Sequence, residues 1–333
     1  MPAYLDYAAT SPLHPKVREV LFRHFDETYG NAASRTHHFG LDAKKIVEGS
    51  RRLIAAAAGV DASELIFTSG ATEANNLAIL GLRAHGLQTG RRHLISTAIE
   101  HKAVQEPLEA LVAEGFELTI VPVGPSGRAD PAEVLSAVRQ DTLLVSMMLV
   151  NNETGIIQPV PEGARGLQGS EAFLHVDAAQ GFAKASGFDD QRIDLMSISA
   201  HKLQGPKGVG ALIARRRRHV SPPLTPLMFG GGHERGLRPG TLPAPLIAAF
   251  GEAVRVALDE KETRDNIARR RRQALLMAFK PLGPTLIGDQ DWAVPNVLML
   301  AIPGGSGIGE KRLTRPPQTF QPRLSVPGPR RLS

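Results

Sequence analysis

Between residues 65 and 214, short apolar runs recur at 65–67, 93–97, 117–123, 143–150, 173–176, 194–199 and 210–214. Most are followed by a polar turn and then by a stretch with helical periodicity. Parallel strands cannot be joined by tight turns; they need crossovers of helical length. The alternation therefore predicts an α/β fold with a mostly parallel central sheet and helices on both faces. Thr72, His101, Asn152, Asp177, Gln180 and Lys202 each follow one of these runs. In an open α/β sheet the carboxyl ends of the strands face one crevice, so residues far apart in sequence are expected to converge there.

Lys202 closes the segment Ser197-Ile198-Ser199-Ala200-His201-Lys202, and glycines follow it at 205, 208 and 210. A lysine held at a strand end among polar groups can be kept partly unprotonated and can form a Schiff base with an aldehyde. The plainer alternative is a solvated lysine. The stretch 65–80, LIFTSGATEANNLAIL, reads as strand, small-residue turn and helix. Its free N–H groups at the helix start would suit a phosphate. A plain helix capped by Thr72 or Ser69 is the alternative, and no Walker lysine follows. His37 and His38 lie in a polar stretch and are not expected to bind metal.

The 333 residues include no cysteine, which excludes disulfides, thiolate metal sites and a cysteine nucleophile within this sequence. No apolar run has membrane-spanning length and the first residues lack a leader pattern, so a cytoplasmic protein is expected. The net charge of +6 is concentrated after residue 303, where six Lys/Arg face one acid (Glu310), leaving the rest at +1. Nucleic-acid binding is therefore not expected. The arginine runs 215–218 and 269–272 are expected to be solvated faces.

The motifs YLDYAAT, FTSGATEANNLAI, STAIEHKAV, VNNETG, HVDAAQ, SISAHKLQGPKGVGAL and GGGHERGLRPGTLP together resemble the cysteine desulfurases of the class V aminotransferase group, over roughly residues 4–303. That resemblance implies the pyridoxal-phosphate fold type I and pyridoxal 5'-phosphate as cofactor. It implies that Lys202 is the Schiff-base lysine and later the proton-moving base, and that Asp177 pairs with the pyridinium nitrogen. His101 would stack on the ring and serve in acid/base steps, Gln180 would bond the ring hydroxyl, and Asn152 would hold ring hydroxyl and substrate carboxylate. Ala71, Thr72, Ser199, Ala200 and His201 would surround the phosphate, with Thr241 contacting the phosphate of a partner subunit in a homodimer. The implied organisation is an N-terminal arm (1–15), a cofactor-binding large domain (16–250) and the start of a small C-terminal domain (251–303).

The pattern departs from the family after Pro303. Residues 304–333 hold five prolines and a basic excess, and are expected to be a disordered tail. The family's cysteine nucleophile and carboxylate-binding arginine have no counterpart here. The implied function is removal of sulfur from L-cysteine to give alanine, for iron–sulfur cluster or thio-cofactor synthesis, with a sulfur-acceptor or scaffold protein as partner. The lack of any cysteine implies impairment of that activity. The alternatives are a lyase or aminotransferase acting on another amino acid, and a catalytically dead homodimeric, partner-binding protein.

Overall fold

The computed structural model describes residues 4–303; the tail expected to be disordered lies outside the described residues. In chain order the helices are α1 (Pro15–Glu27), α2 (His38–Ala57), α3 (Ala71–Leu80), α4 (Arg83–Thr89), α5 (Lys102–Ala113), α6 (Pro131–Ser136), α7 (Val160–Gly166), α8 (Ala244–Asp259) and α9 (Lys261–Phe279). The strands are β1 (Leu65–Thr68), β2 (His93–Thr97), β3 (Glu117–Val121), β4 (Thr142–Met148), β5 (Phe173–Asp177), β6 (Leu195–Ser199), β7 (Gly210–Ala214), β8 (Thr285–Leu286) and β9 (Leu300–Ala301).

Seven strands form one sheet in the order β1-β7-β6-β5-β4-β2-β3. The pairs among β2 to β6 are parallel, whereas β7 runs antiparallel to both β1 and β6. The expectation of a mostly parallel sheet is met. The reversal at β7 follows from the short connection after Lys202, which lacks the length of a crossover.

Strand residues alternate between two cores, as a pleated strand requires. Phe67, Ile95, Val145, Val176, Ile198 and Ile213 join one cluster with residues of α1, α2, α7 and α8. Their neighbours Ile66, Leu94, Leu144, Leu195 and Leu212 join the other, with α3 and α5. Each fully buried aliphatic side chain contributes about 1.5–3 kcal/mol, so both faces are committed to helical cover. Gly251 of α8 lies against α2, where a Cβ would come within 3.0 Å of Ser50. The expected domain boundary at residue 250 falls inside α8, whose buried side chains run from Ala244 to Ala257.

The run 215–218 departs from the expected solvated face. Arg215 is buried, and its guanidinium donates to the carbonyls of Ile193 (3.1 Å) and Gly59 (3.1 Å). Arg217 pairs with Asp194 and donates to the Ala172 carbonyl. Carbonyls at strand ends and at the end of α2 lack intra-element partners, and arginine's fork of donors supplies them. Arg269 to Arg272 do lie on a helix with no buried residue, though Arg272 donates to the Val297 carbonyl. His37 is explained as a helix cap, its Nδ1 accepting from the Gly40 amide at 3.3 Å.

Candidate functional site

A cavity of about 560 Å³ opens at the carboxyl ends of the parallel strands. Nine of the expected site residues line it: Ala71, Thr72, His101, Asn152, Asp177, Gln180, Ser199, His201 and Lys202. Ala200 is fully buried and does not line it, and Thr241 is exposed and does not line it either.

Lys202 sits in a single helical turn, Ala200–Leu203, directly after β6. The turn is tight because Gly205 packs on it; a Cβ there would meet the Ala200 carbonyl oxygen at 2.7 Å. Lys202 Nζ donates to the Ala8 carbonyl at 2.7 Å and the Ala9 carbonyl at 2.8 Å. The N-terminal arm thus covers the lysine turn, tied further by Ser11 Oγ donating to the His201 carbonyl (2.8 Å) and by His201 Nδ1 against Thr10 Oγ1 (3.2 Å). Burial pushes the Lys202 pKa below its ordinary value, and the negative charge of Asp177 partly opposes this. Burial, with Lys202, Lys207 and Lys184 nearby, lowers His201 to about 4, so its ring is neutral at pH 7.

Asp177 ends β5, where it pairs in register with Met148 of β4 and Ser197 of β6. It is buried, its Oδ2 accepting from Asn75 Nδ2 at 2.8 Å and its Oδ1 from the Ala179 amide at 3.0 Å. Burial raises its pKa; these two bonds and the charges of His101 and Lys202 pull the other way. His101 caps α5, Nδ1 accepting from the Ala103 amide at 3.1 Å. Gln180 has its amide turned to the arm, Nε2 donating to the Ala8 carbonyl at 2.8 Å.

At the other end of the cavity α3 starts at Ala71 with no side-chain cap, so neither Thr72 nor Ser69 takes the capping role. Glu73 accepts instead from the Ser69 amide (2.7 Å) and pairs with Arg238 at 2.9 Å. The first-turn N–H groups and the positive end of the helix dipole are left for an anion. The strand β7 passes close to this turn because residue 210 is glycine; a Cβ there would fall 2.7 Å from Gly70 Cα.

Ala8, Ala9, Asn75 and Glu100 also take part in or beside the site, and the sequence alone does not single them out. Asn75 lies four residues after Ala71, one helical turn along, and that spacing was the available signal. The arm carbonyls carry none, since a backbone acceptor has no residue type.

Residues 3–288 match the family described as Aminotransferase class-V. The cysteine desulfurase IscS of Vibrio cholerae serotype O1 is 43% identical over 302 residues, covering 90% of this chain and 74% of that protein. IscS of Neisseria meningitidis serogroup C is 43% identical over 299 residues, covering 89% and 73%. Among solved structures, DndA from Streptomyces lividans is 49% identical with a TM-score of 0.84, covering 90% of this chain and 84% of that one. A structure of SspA in complex with cysteine is 32% identical with a TM-score of 0.82, covering 94% and 87%. A lysine and a buried aspartate on adjacent strand ends, an uncapped helix start across the cavity, and a match over most of the chain agree, and the chain belongs to the class-V aminotransferase family.

Proposed function

We propose that this protein is a pyridoxal-phosphate-dependent enzyme of the cysteine desulfurase kind, acting on L-cysteine at the Lys202 cavity. The residues fit the cofactor on three counts. Lys202 offers an amine for the aldehyde, Asp177 an acid for the ring nitrogen, and the uncapped start of α3 with Ser199 and His201 a seat for the phosphate. Bound there, pyridoxal phosphate supplies an aldehyde that joins amino groups and a ring that stores an electron pair.

The protein's own groups do the rest. Asp177, as an anion held by Asn75 and the Ala179 amide, keeps a positive charge at the ring nitrogen favourable. Lys202, its proton affinity lowered by burial, accepts and returns a proton at the substrate's α-carbon. His101 and Asn152 flank the opening and orient the amino acid.

None of the 333 residues is a cysteine, so the thiol that takes up sulfur is not in this sequence. With an external thiol RSH, cysteine would give alanine and RSSH: the Cβ–S bond breaks, an S–S bond forms, and a proton goes to Cβ. The acceptor in this reading is a separate thiol-bearing molecule or protein. Homodimerisation belongs to the same proposal, since Thr241 is exposed and does not line its own cavity, as expected of a residue offered to a second copy. A cytoplasmic location is part of it too; no described helix is long and apolar enough to cross a membrane.

The observation that carries the reading is the presence of Lys202 and Asp177 in one cavity. The test is to soak the full chain in pyridoxal phosphate, reduce with borohydride and map the modified peptide. Alanine released from cysteine is then measured with and without dithiothreitol. Modification at Lys202 with thiol-dependent alanine release is expected; modification at another lysine, or no alanine in either condition, overturns the reading.

A further inference from the structure

Glu100 stands between two residues of known placement, Ile99 and His101, in the connection from β2 to α5, and it is buried. A carboxyl group is rarely placed so deep without a cationic partner, and among the described residues none is bonded to it. Its Oε1 accepts from Thr97 Oγ1 at 2.6 Å and from the Met148 amide at 2.8 Å, while Oε2 is buried with no hydrogen-bond partner. One residue earlier, the Ile99 carbonyl accepts from Asn151 Nδ2 at 3.2 Å. The loop that carries His101 is therefore fastened to β4 and its following turn at two points. Met148 is also the register partner of Asp177, and the Leu149 amide donates to the Asp177 carbonyl.

We propose that Glu100 is a positioning residue that latches the His101 loop onto β4 beside Asp177, setting where the His101 ring stands at the mouth of the cavity. The proposal rests on the function given above only in naming His101 as the group so placed. The latch works as a neutral acid: burial, with the nearby Asp177 charge, raises Glu100 to about 8, against the opposing bonds from Thr97 and Met148. Both acceptor bonds fall on Oε1, which leaves Oε2 as the oxygen available to carry the proton. The groups facing it are uncharged on β2 (Thr97) and β4 (the Met148 amide), and acidic on β5, where Asp177 shares its field with His101 and Lys202. Ionisation above pH 8 places a second negative charge in a buried site, and it is relieved by the loop lifting from β4.

The experiment is amide exchange at Met148 and in the segment 97–103 of the full chain, corrected for the intrinsic pH dependence of exchange. The wild type is expected to lose protection at Met148 above pH 8 by up to about tenfold per pH unit. Glu100→Gln, which keeps an acceptor and cannot ionise, is expected to stay protected and flat with pH. Glu100→Ala is expected to be at least about fivefold less protected at every pH, because two buried donors lose their acceptor. The same loss in wild type and Glu100→Gln, or a flat wild-type curve, overturns the proposal. The borohydride map of Lys202 on the same protein reads the cofactor seat and not the latch, so a failed map with intact exchange curves counts against the cofactor reading alone, and an intact map with flat curves against the latch alone.

Discussion

Lys202 Nζ donates to the carbonyl oxygen of Ala8, 194 residues away in sequence, at 2.7 Å. With the Ala9 carbonyl at 2.8 Å, the lysine is the pin that holds the N-terminal arm against the lysine turn. Hydrogen bonds from a charged donor contribute about 1.5–3 kcal/mol each, enough to order a short arm that buries little else.

In the cofactor-free protein, where the amine is free to donate, Lys202→Ala is therefore expected to release the arm; in the cofactor-soaked protein it abolishes covalent attachment. The Ser11 and Gln180 bonds to this region remain, so the change is local. Chymotryptic cleavage near Tyr7 should rise by about tenfold or more while the melting temperature moves little. An unchanged cleavage rate would show that the arm is held without the lysine.

Asp177→Asn tests the charge at the end of β5. The substitution keeps the volume of a buried side chain, and removes the anion that favours a protonated ring nitrogen. Alanine release from cysteine in the presence of thiol is expected to fall by on the order of 10²–10³-fold. Borohydride should still fix the cofactor at Lys202, because the amine is untouched. Full activity in Asp177→Asn would remove this residue from the mechanism.

Strand-end polar residues were legible in the sequence because each follows an apolar run, and the parallel topology then fixes their common edge. The same logic could not reach Ala8, Ala9 or Glu100. The first two act through backbone oxygens, and Glu100 looks like an exposed acid at a helix start until Met148 is seen to donate to it. Arg215 was misread for a related reason: a run of four arginines resembles a solvated face, and only the carbonyls of Ala58, Gly59 and Ile193 show why one of them is internal. The antiparallel β7 was equally hidden, since an apolar strand carries no mark of its direction.

The buried pair Arg51 and Glu234 ties the glycine-rich segment after residue 229 to the edge strand β1. Arg51 bonds both Glu234 oxygens at 2.9 and 2.6 Å and lies over the Phe67 ring, while Glu234 also accepts from the Phe67 amide at 2.7 Å. Glu234→Ala leaves Arg51 with Glu48 (3.2 Å) and the Leu65 carbonyl (2.9 Å) but strips its buried carboxylate and leaves the Phe67 N–H unpaired, and is expected to cost about 2–3 kcal/mol. The double change Arg51→Met with Glu234→Met removes both charges and should cost clearly less than Glu234→Ala alone. Urea unfolding of the three chains decides this; a double variant as unstable as the single one would show that the pair is not the clasp.

His175, together with His201, contributes to the acid limb of stability. It is fully buried on β5, Nδ1 at 2.8 Å from Ser146 Oγ and Nε2 at 3.2 Å from Ser197 Oγ, and burial lowers its pKa to about 3. The unfolded chain binds a proton at this residue near pH 6.5 and the folded chain does not, so folding is favoured above 6.5 and loses ground as pH falls toward 3. Within that window the residue contributes a slope of about 1.4 kcal/mol per pH unit. His175→Gln has no such proton to gain. Its unfolding free energy, lower at pH 7 from the altered packing, should fall less steeply than that of the wild type between pH 6 and pH 4. Parallel curves for the two proteins would mean that His175 is not the group that titrates.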